Sequence, residues 1–221
     1  AHYRNRGEGQ PFFHVKNIHY SHESSIHTYI PVDELQHKPS EMKLPPYHPD
    51  TEEMRHDWAQ YYDKITQMDS AAGKILRQLE EDGLANNTIV FYYADHGGVL
   101  GRSKRYVYES GTHVPFIVRI PEKYKHLFPA EAPGSEVNRL ISFVDLAPTL
   151  LSLTDIEIPG YMQGKAFLGE QKTGDPEYAF MFRGRMDEWY DMSRSVRNHK
   201  YRYIKNYMPH RIYGQRVAYL W

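Results

Sequence analysis

A helical period runs without a break from Asp50 to Gly83, and after an Asn86-Asn87 turn it hands over to a run of β-formers at Thr88 to Asp95. No other stretch constrains the fold as much. Apolar residues recur every three or four positions, at Met54, Trp58, Tyr61 or Tyr62, Ile65, Met68, Ala72, Ile75 or Leu76 and Leu79, which is the stripe of a helix that buries one face. Asp50 followed by Glu53 has the spacing of a capping box, and Gly83 suits a C-terminal cap. The strand after it, TIVFYYAD, is nearly continuous in apolar and aromatic residues, as a strand covered on both faces is. A long helix feeding such a strand predicts an α/β fold. Val114 to Ile120 is a second buried-strand candidate. Leu140 to Phe143 is a third, leading into a helix at Asp145 to Leu153 with Pro148 in its first turn. Together they predict a mostly parallel mixed sheet between helices.

The flanks differ from this centre. Pro11 to Ile18 (PFFHVKNI) reads as a strand that opens into a polar loop, His19 to His27, and Val32 to Asp50 has four prolines and no period, so it reads as a surface connection. Beyond Pro159 short strands are expected at Tyr178 to Phe182, Arg194 to Arg197 and Tyr201 to Ile204, the last two around a turn at Asn198-His199. The organisation expected is an α/β body over residues 1–158 and the beginning of a small antiparallel C-terminal subdomain over 159–221.

Composition removes several chemistries. Lys and Arg number 27 against 28 Asp and Glu, a net charge of −1 with no basic field for nucleic acid. The chain contains no Cys, so it can supply no disulfide, thiolate metal site or cysteine nucleophile. No apolar run reaches the roughly 18 residues of a membrane span. The 19 Tyr and 13 His favour sites that stack on, or hydrogen-bond to, a polar ligand.

The string Tyr93-Ala94-Asp95-His96-Gly97-Gly98 carries the clearest chemical signal. Adjacent side chains of a regular strand point to opposite faces, so Asp95 and His96 can serve one cation only where the strand has broken, and the two glycines supply the break. Strand ends of this kind are where open α/β sheets place their ligands. Downstream follow Arg102, Lys104 and Arg105, then Glu109-Ser110-Gly111-Thr112-His113-Val114-Pro115; upstream lie His19 and His22.

In this order the sequence resembles the sulfatases, the formylglycine-dependent branch of the alkaline phosphatase superfamily, and within them the bacterial carbohydrate sulfatases. The resemblance rests on five features. They are the PFF strand before a loop histidine, the helix with Tyr62-Asp63 and Met68-Asp69 before a Gly, Asp95-His96-Gly97, Lys104 nine residues before His113-Val114-Pro115, and Val144-Asp145-Leu146-Ala147-Pro148-Thr149-Leu150. Together they span roughly residues 10 to 207. The resemblance implies an alkaline phosphatase-like fold and hydrolysis of a sulfuric ester on a sulfated sugar. By it, Asp95 and His96 match metal ligands, Lys104 and His22 (rather than His19) match catalytic residues on the sulfate oxygens, and Arg102, Arg105 and His113 flank them as substrate contacts. A solvated basic loop is the other reading of those flanking residues. The implied cofactors are Ca2+, with Mg2+ as the alternative, and a formylglycine; the implied location is periplasmic or secreted.

The C/S-x-P-x-R motif that yields formylglycine does not occur in this chain. The nearest string, Tyr207-Met208-Pro209-His210-Arg211, has Tyr in the nucleophile position and lies on the wrong side of Asp95-His96. The chain is therefore expected to be the C-terminal part of a sulfatase catalytic domain, inactive alone, with surfaces that favour homo-oligomers. Two alternatives are a phosphomonoester or phosphonate-ester hydrolase of the same superfamily, and a sulfatase-like module that binds carbohydrate without catalysis.

Overall fold

Thr51 begins the long helix that anchors the first half of the structure, a computed structural model that describes residues 2–130, 132–185 and 189–211. The chain divides into two compact units, Ala1–Ala85 with Val99–Gly101, and Asn86–Gly98 with Arg102–Trp221.

The first unit is built on α1, Glu52–Glu81. Its cap is Thr51, not Asp50: Thr51 has the extended backbone an N-cap needs, and its hydroxyl accepts from Met54 N at 3.2 Å. Asp50 instead takes Arg55 through Nε at 2.5 Å and Nη2 at 2.8 Å. Glu53 leans back on the cap, and hydrogen bonds from its own backbone N–H and the Thr51 hydroxyl hold its carboxyl below the usual range. At the other end Gly83 adopts φ +69°. Gly83 N donates to Glu80 O and Leu84 N to Leu79 O, the paired bonds of a Schellman ending.

The expected apolar stripe is only partly covered, and Tyr62 and Leu76 are exposed. The buried positions of the first half of α1 are His56, Ala59, Gln60 and Asp63. They are mostly polar because the neighbouring chain is irregular and its backbone groups need partners. Gln60 Oε1 accepts from Ile30 N at 3.1 Å while its Nε2 donates to Thr28 O at 2.8 Å; His56 Nε2 donates to Ile30 O at 2.7 Å. Asp63 accepts from Gln36 N, His37 N and His37 Nδ1, the last at 2.6 Å. Pro11 to Ile18 pairs with no strand among the described residues, and Phe13 is 75% exposed. The β-formers expected to make a strand there have no neighbouring ladder to join.

The second unit carries two antiparallel sheets. β1, Val90–Tyr93, pairs with β2, Phe116–Arg119, in the register Val90↔Arg119 to Tyr93↔Phe116. The α/β class stands, but the parallel pairing expected from the sequence is absent among the described residues. The chain returns from β1 to β2 through a loop whose one helix, α2 (Glu109–Thr112), is a single turn, whereas a parallel return needs a long crossover. Neither strand is covered on both faces, and Ile117 is exposed. Leu140 to Phe143 is not a strand. Ser142 forms a capping box with Asp145, and a 3₁₀ turn leads into α3, Leu146–Leu153, with Pro148 in its first turn as expected. Thr149, fully buried, donates to Asp145 O and accepts from Phe167 N at 3.1 Å, tying buried Ala166–Leu168 to α3.

The second sheet runs β3 (Ala179–Arg183), β4 (Ser193–Arg197), β5 (Arg202–Asn206), all antiparallel, where the sequence places its C-terminal strands. The turn between β4 and β5 spans Asn198 to Tyr201, and the Asn198 side chain accepts from Lys200 N and Tyr201 N. Among the described residues no helix is long and apolar enough to cross a membrane.

Candidate active site

Strand β1 ends where the chemistry begins. Asp95 is exposed, and its Oδ1 lies 3.6 Å from His96 Nε2. His96 Nδ1 is 2.7 Å from Gly97 O. A carbonyl only accepts, so Nδ1 carries a proton, and in the neutral ring Nε2 keeps its lone pair on the side of Asp95. A carboxylate and an imidazole nitrogen so placed fit two donors of one cation, a hard oxygen that suits calcium or magnesium and a nitrogen that suits them less. Among the described residues no group of three or more His, Cys, Asp or Glu side chains is placed to hold a metal. The pair therefore fits part of a coordination sphere.

This strand end is fastened to the basic loop backbone to backbone. Gly97 N donates to Gly111 O at 3.0 Å, and Lys104 N to Gly98 O at 2.9 Å. The approach is close enough to require glycine. A Cβ on Gly97 would stand 1.8 Å from Ser110 O, and one on Gly111 would stand 2.2 Å from Tyr106 O and 2.3 Å from Ser103 O. Around half-buried Lys104, Arg102 and Arg105 adopt φ +71° and +77°, left-handed conformations that cost residues with a Cβ about 1–3 kcal/mol each. Surrounding contacts brace this loop. Ser110 Oγ donates to Arg102 O at 2.8 Å, the Arg102 guanidinium lies 4.4 Å over Tyr108, and that of Arg183 lies 4.4 Å over Tyr106. His113 follows α2, exposed, with Nδ1 2.9 Å from Glu109 Oε1.

His22 belongs to the first unit. It caps the 3₁₀ turn Glu23–Ile26, and its Nδ1 accepts from Ser24 N at 3.3 Å, with Ser24 Oγ at 2.9 Å. An acceptor Nδ1 puts the neutral ring's proton on Nε2, so that edge is a donor. His19 is exposed, and its backbone carbonyl accepts from His22 N.

The structure thus brings Asp95, His96, Lys104, Arg102, Arg105 and His113 onto one strand end and the loop fastened to it, and it places His22 at the start of the segment held by the polar face of α1. Sequence reasoning missed Glu109, Arg197 and Arg202. Glu109 accepts from Arg197 Nη1 at 2.6 Å and from Arg202 Nη2 at 2.7 Å. Burial pushes the Arg202 pKa down, and the Glu109 charge opposes that. Nothing in the spacing announces partners 88 and 93 residues apart; the Arg on either side of the β4–β5 turn was the one available signal.

The model of the sulfatase family matches residues 3–156, and that of the C-terminal region of N-sulphoglucosamine sulphohydrolase matches residues 100–214. A ulvan-active sulfatase of Formosa agariphila is 37% identical over 99% of this chain and 41% of its own length, so the chain spans about two-fifths of that relative. Among solved structures, a protein in complex with its substrate D-glucosamine-2-N,6-O-disulfate aligns with TM-score 0.59 at 23% identity, over 73% of this chain and 34% of that one. A phosphonate monoester hydrolase from Silicibacter pomeroyi aligns with TM-score 0.59 at 24% identity, over 76% and 37%. At these identities the two structures speak for the fold.

Proposed function

We propose, because this chain belongs to the sulfatase family, that the protein carrying it is a sulfuric ester hydrolase that removes sulfate from a sulfated carbohydrate. The observation that carries the reading is the fastening of Asp95-His96 to the Lys104 loop through Gly97–Gly111 and Gly98–Lys104. In this reading it joins a pair that would bind a cation to a positive charge on the fastened loop, near His113, whose Nδ1 lies 2.9 Å from Glu109 Oε1.

The chemistry follows from charge. Cleavage of a sulfate ester gathers negative charge on the sulfonyl oxygens and on the departing oxygen, so positive groups held there beforehand lower the barrier. In this reading the Lys104 ammonium acts as a point charge on a sulfonyl oxygen. His22 donates its Nε2 proton to a sulfate or leaving-group oxygen. Arg102, Arg105 and His113 contact the substrate around them. Asp95 and His96 Nε2 would hold a calcium ion, with magnesium the alternative, and the ion would supply positive charge to the site. A formylglycine outside these residues supplies the nucleophile. Residues 1–158 are then the C-terminal part of the catalytic domain, and 159–221 the beginning of the subdomain that supports it. A periplasmic or secreted location and self-association belong to the same proposal.

The test uses the longest natural chain containing these residues, assayed with an aryl sulfate, an aryl phosphate and a panel of sulfated sugars, with and without calcium. Calcium-dependent sulfate release with sugar sulfates preferred is the expected result. Phosphate release exceeding sulfate release would move the protein to the phosphoester branch. Binding of sulfated sugar without turnover would make it a carbohydrate-binding module.

A further inference from the structure

Glu109 opens the single-turn helix α2, and three donors converge on its carboxylate. Oε1 takes Arg197 Nη1 at 2.6 Å and His113 Nδ1 at 2.9 Å; Oε2 takes Arg202 Nη2 at 2.7 Å. The two arginines are register partners on adjacent strands, Arg197↔Arg202, with side chains 22% and 14% exposed. Arg202 also reaches both ends of α2, donating through Nη1 to Val107 O at 2.5 Å and to Thr112 Oγ1 at 2.7 Å. An isolated surface ion pair contributes little, but here one carboxylate joins two half-buried guanidinia and an imidazole. Two fixed positive charges against one negative leave the clamp itself cationic, on the loop where an anionic group is expected to bind.

We propose that Glu109 is a positioning residue. It holds His113 in the tautomer that carries its proton on Nδ1, leaving Nε2 to the substrate, and through Arg197 and Arg202 it anchors the Lys104 loop to the C-terminal sheet. The inference deepens the sulfatase reading of this site and rests on it. It also gives the C-terminal strands a part in the site, because without Arg197 and Arg202 the Glu109 carboxylate has no fixed orientation toward His113.

The experiment uses the longest natural chain, with 15N-labelled histidine and the His113 signals assigned by their loss in His113→Gln. In the wild type His113 is expected to be protonated on Nδ1, and in Glu109→Gln to shift toward the Nε2-protonated form, because a glutamine amide can donate to Nδ1. On a sulfated sugar, Glu109→Gln is expected to lower kcat about 10–100-fold with KM within about threefold. In the double variant with His113→Gln it should lower kcat by much less. A wild-type His113 protonated on Nε2 would overturn the proposal, as would a Glu109→Gln loss that only matches its loss of folded protein. If the wild type releases no sulfate, the sulfatase reading fails, and the His113 tautomer alone decides the Glu109 pair.

Discussion

His22 and Lys104 both sit on irregular chain, and their units immobilise that chain by different means. In the first unit side chains do the holding. Gln60, His56 and Asp63 on α1 supply the donors and acceptors that the backbone at Thr28, Ile30, Gln36 and His37 needs. In the second unit backbone meets backbone across Gly97, Gly98, Lys104 and Gly111, with the arginine clamp behind. The first design tolerates a change of side chain wherever another polar group can substitute. The second leaves no volume to change.

That contrast can be broken most sharply at Gly97. An added methyl would stand 1.8 Å from Ser110 O, a backbone atom with no side-chain freedom to retreat. Gly97→Ala is expected to cost about 3 kcal/mol, read from denaturant unfolding, with limited proteolysis showing new cleavage between 97 and 113. Cleavage and stability like the wild type's would mean that the glycine approach does not hold the loop. Gln60→Ala comes next. It strips partners from Ile30 N and Thr28 O and is expected to cost about 2 kcal/mol, with Gln60→Glu recovering only the bond to Ile30 N.

The smallest effect is one of pH. Burial raises the Asp63 carboxyl, but the His37 ring and the Gln36 and His37 backbone N–H groups outweigh it and leave it below its ordinary 3.8. A carboxylate with a depressed folded pKa contributes stability that is fully present above its unfolded value and is lost as the pH falls through the lower, folded one. Stability of the first unit should therefore show an acid limb below about pH 3.8 that is reduced in Asp63→Asn, with Asp50, Glu53 and Asp82 supplying the remainder. An unchanged acid limb in that variant would show that the Asp63–His37 contact is not formed in solution.

Much of this fold was legible because the signals were local. The three-to-four spacing along α1, Gly83 after it, Pro148 in a first turn and the short strands beyond Pro159 each declare themselves within a few residues. The cap missed by one residue because Asp50 and Thr51 both suit the position, and Arg55 decides between them by claiming Asp50. The polar face of α1 was not legible. Periodicity detects apolar residues, and here the partner is irregular backbone that polar side chains satisfy better. Parallel pairing was inferred from apolar continuity, which reports burial and not direction; direction follows from the connection, and the β1–β2 loop has no crossover helix. For the candidate site, Asp95, His96 and the Lys104 loop stand out as types at a strand end. Glu109, Arg197 and Arg202 acquire meaning only once folding joins residues some 90 apart.

In the proposed function Lys104 and His22, immobilised by such different means, act on the same sulfate group. Turnover of one sulfated sugar by Lys104→Ala, His22→Ala and the double variant of the longest natural chain tests it most directly. Each single change is expected to lower kcat by about 10²–10³ with an unchanged unfolding midpoint, and the double variant to fall short of the product of the two losses. Undiminished turnover in both single variants would exclude both residues from a role on the sulfate.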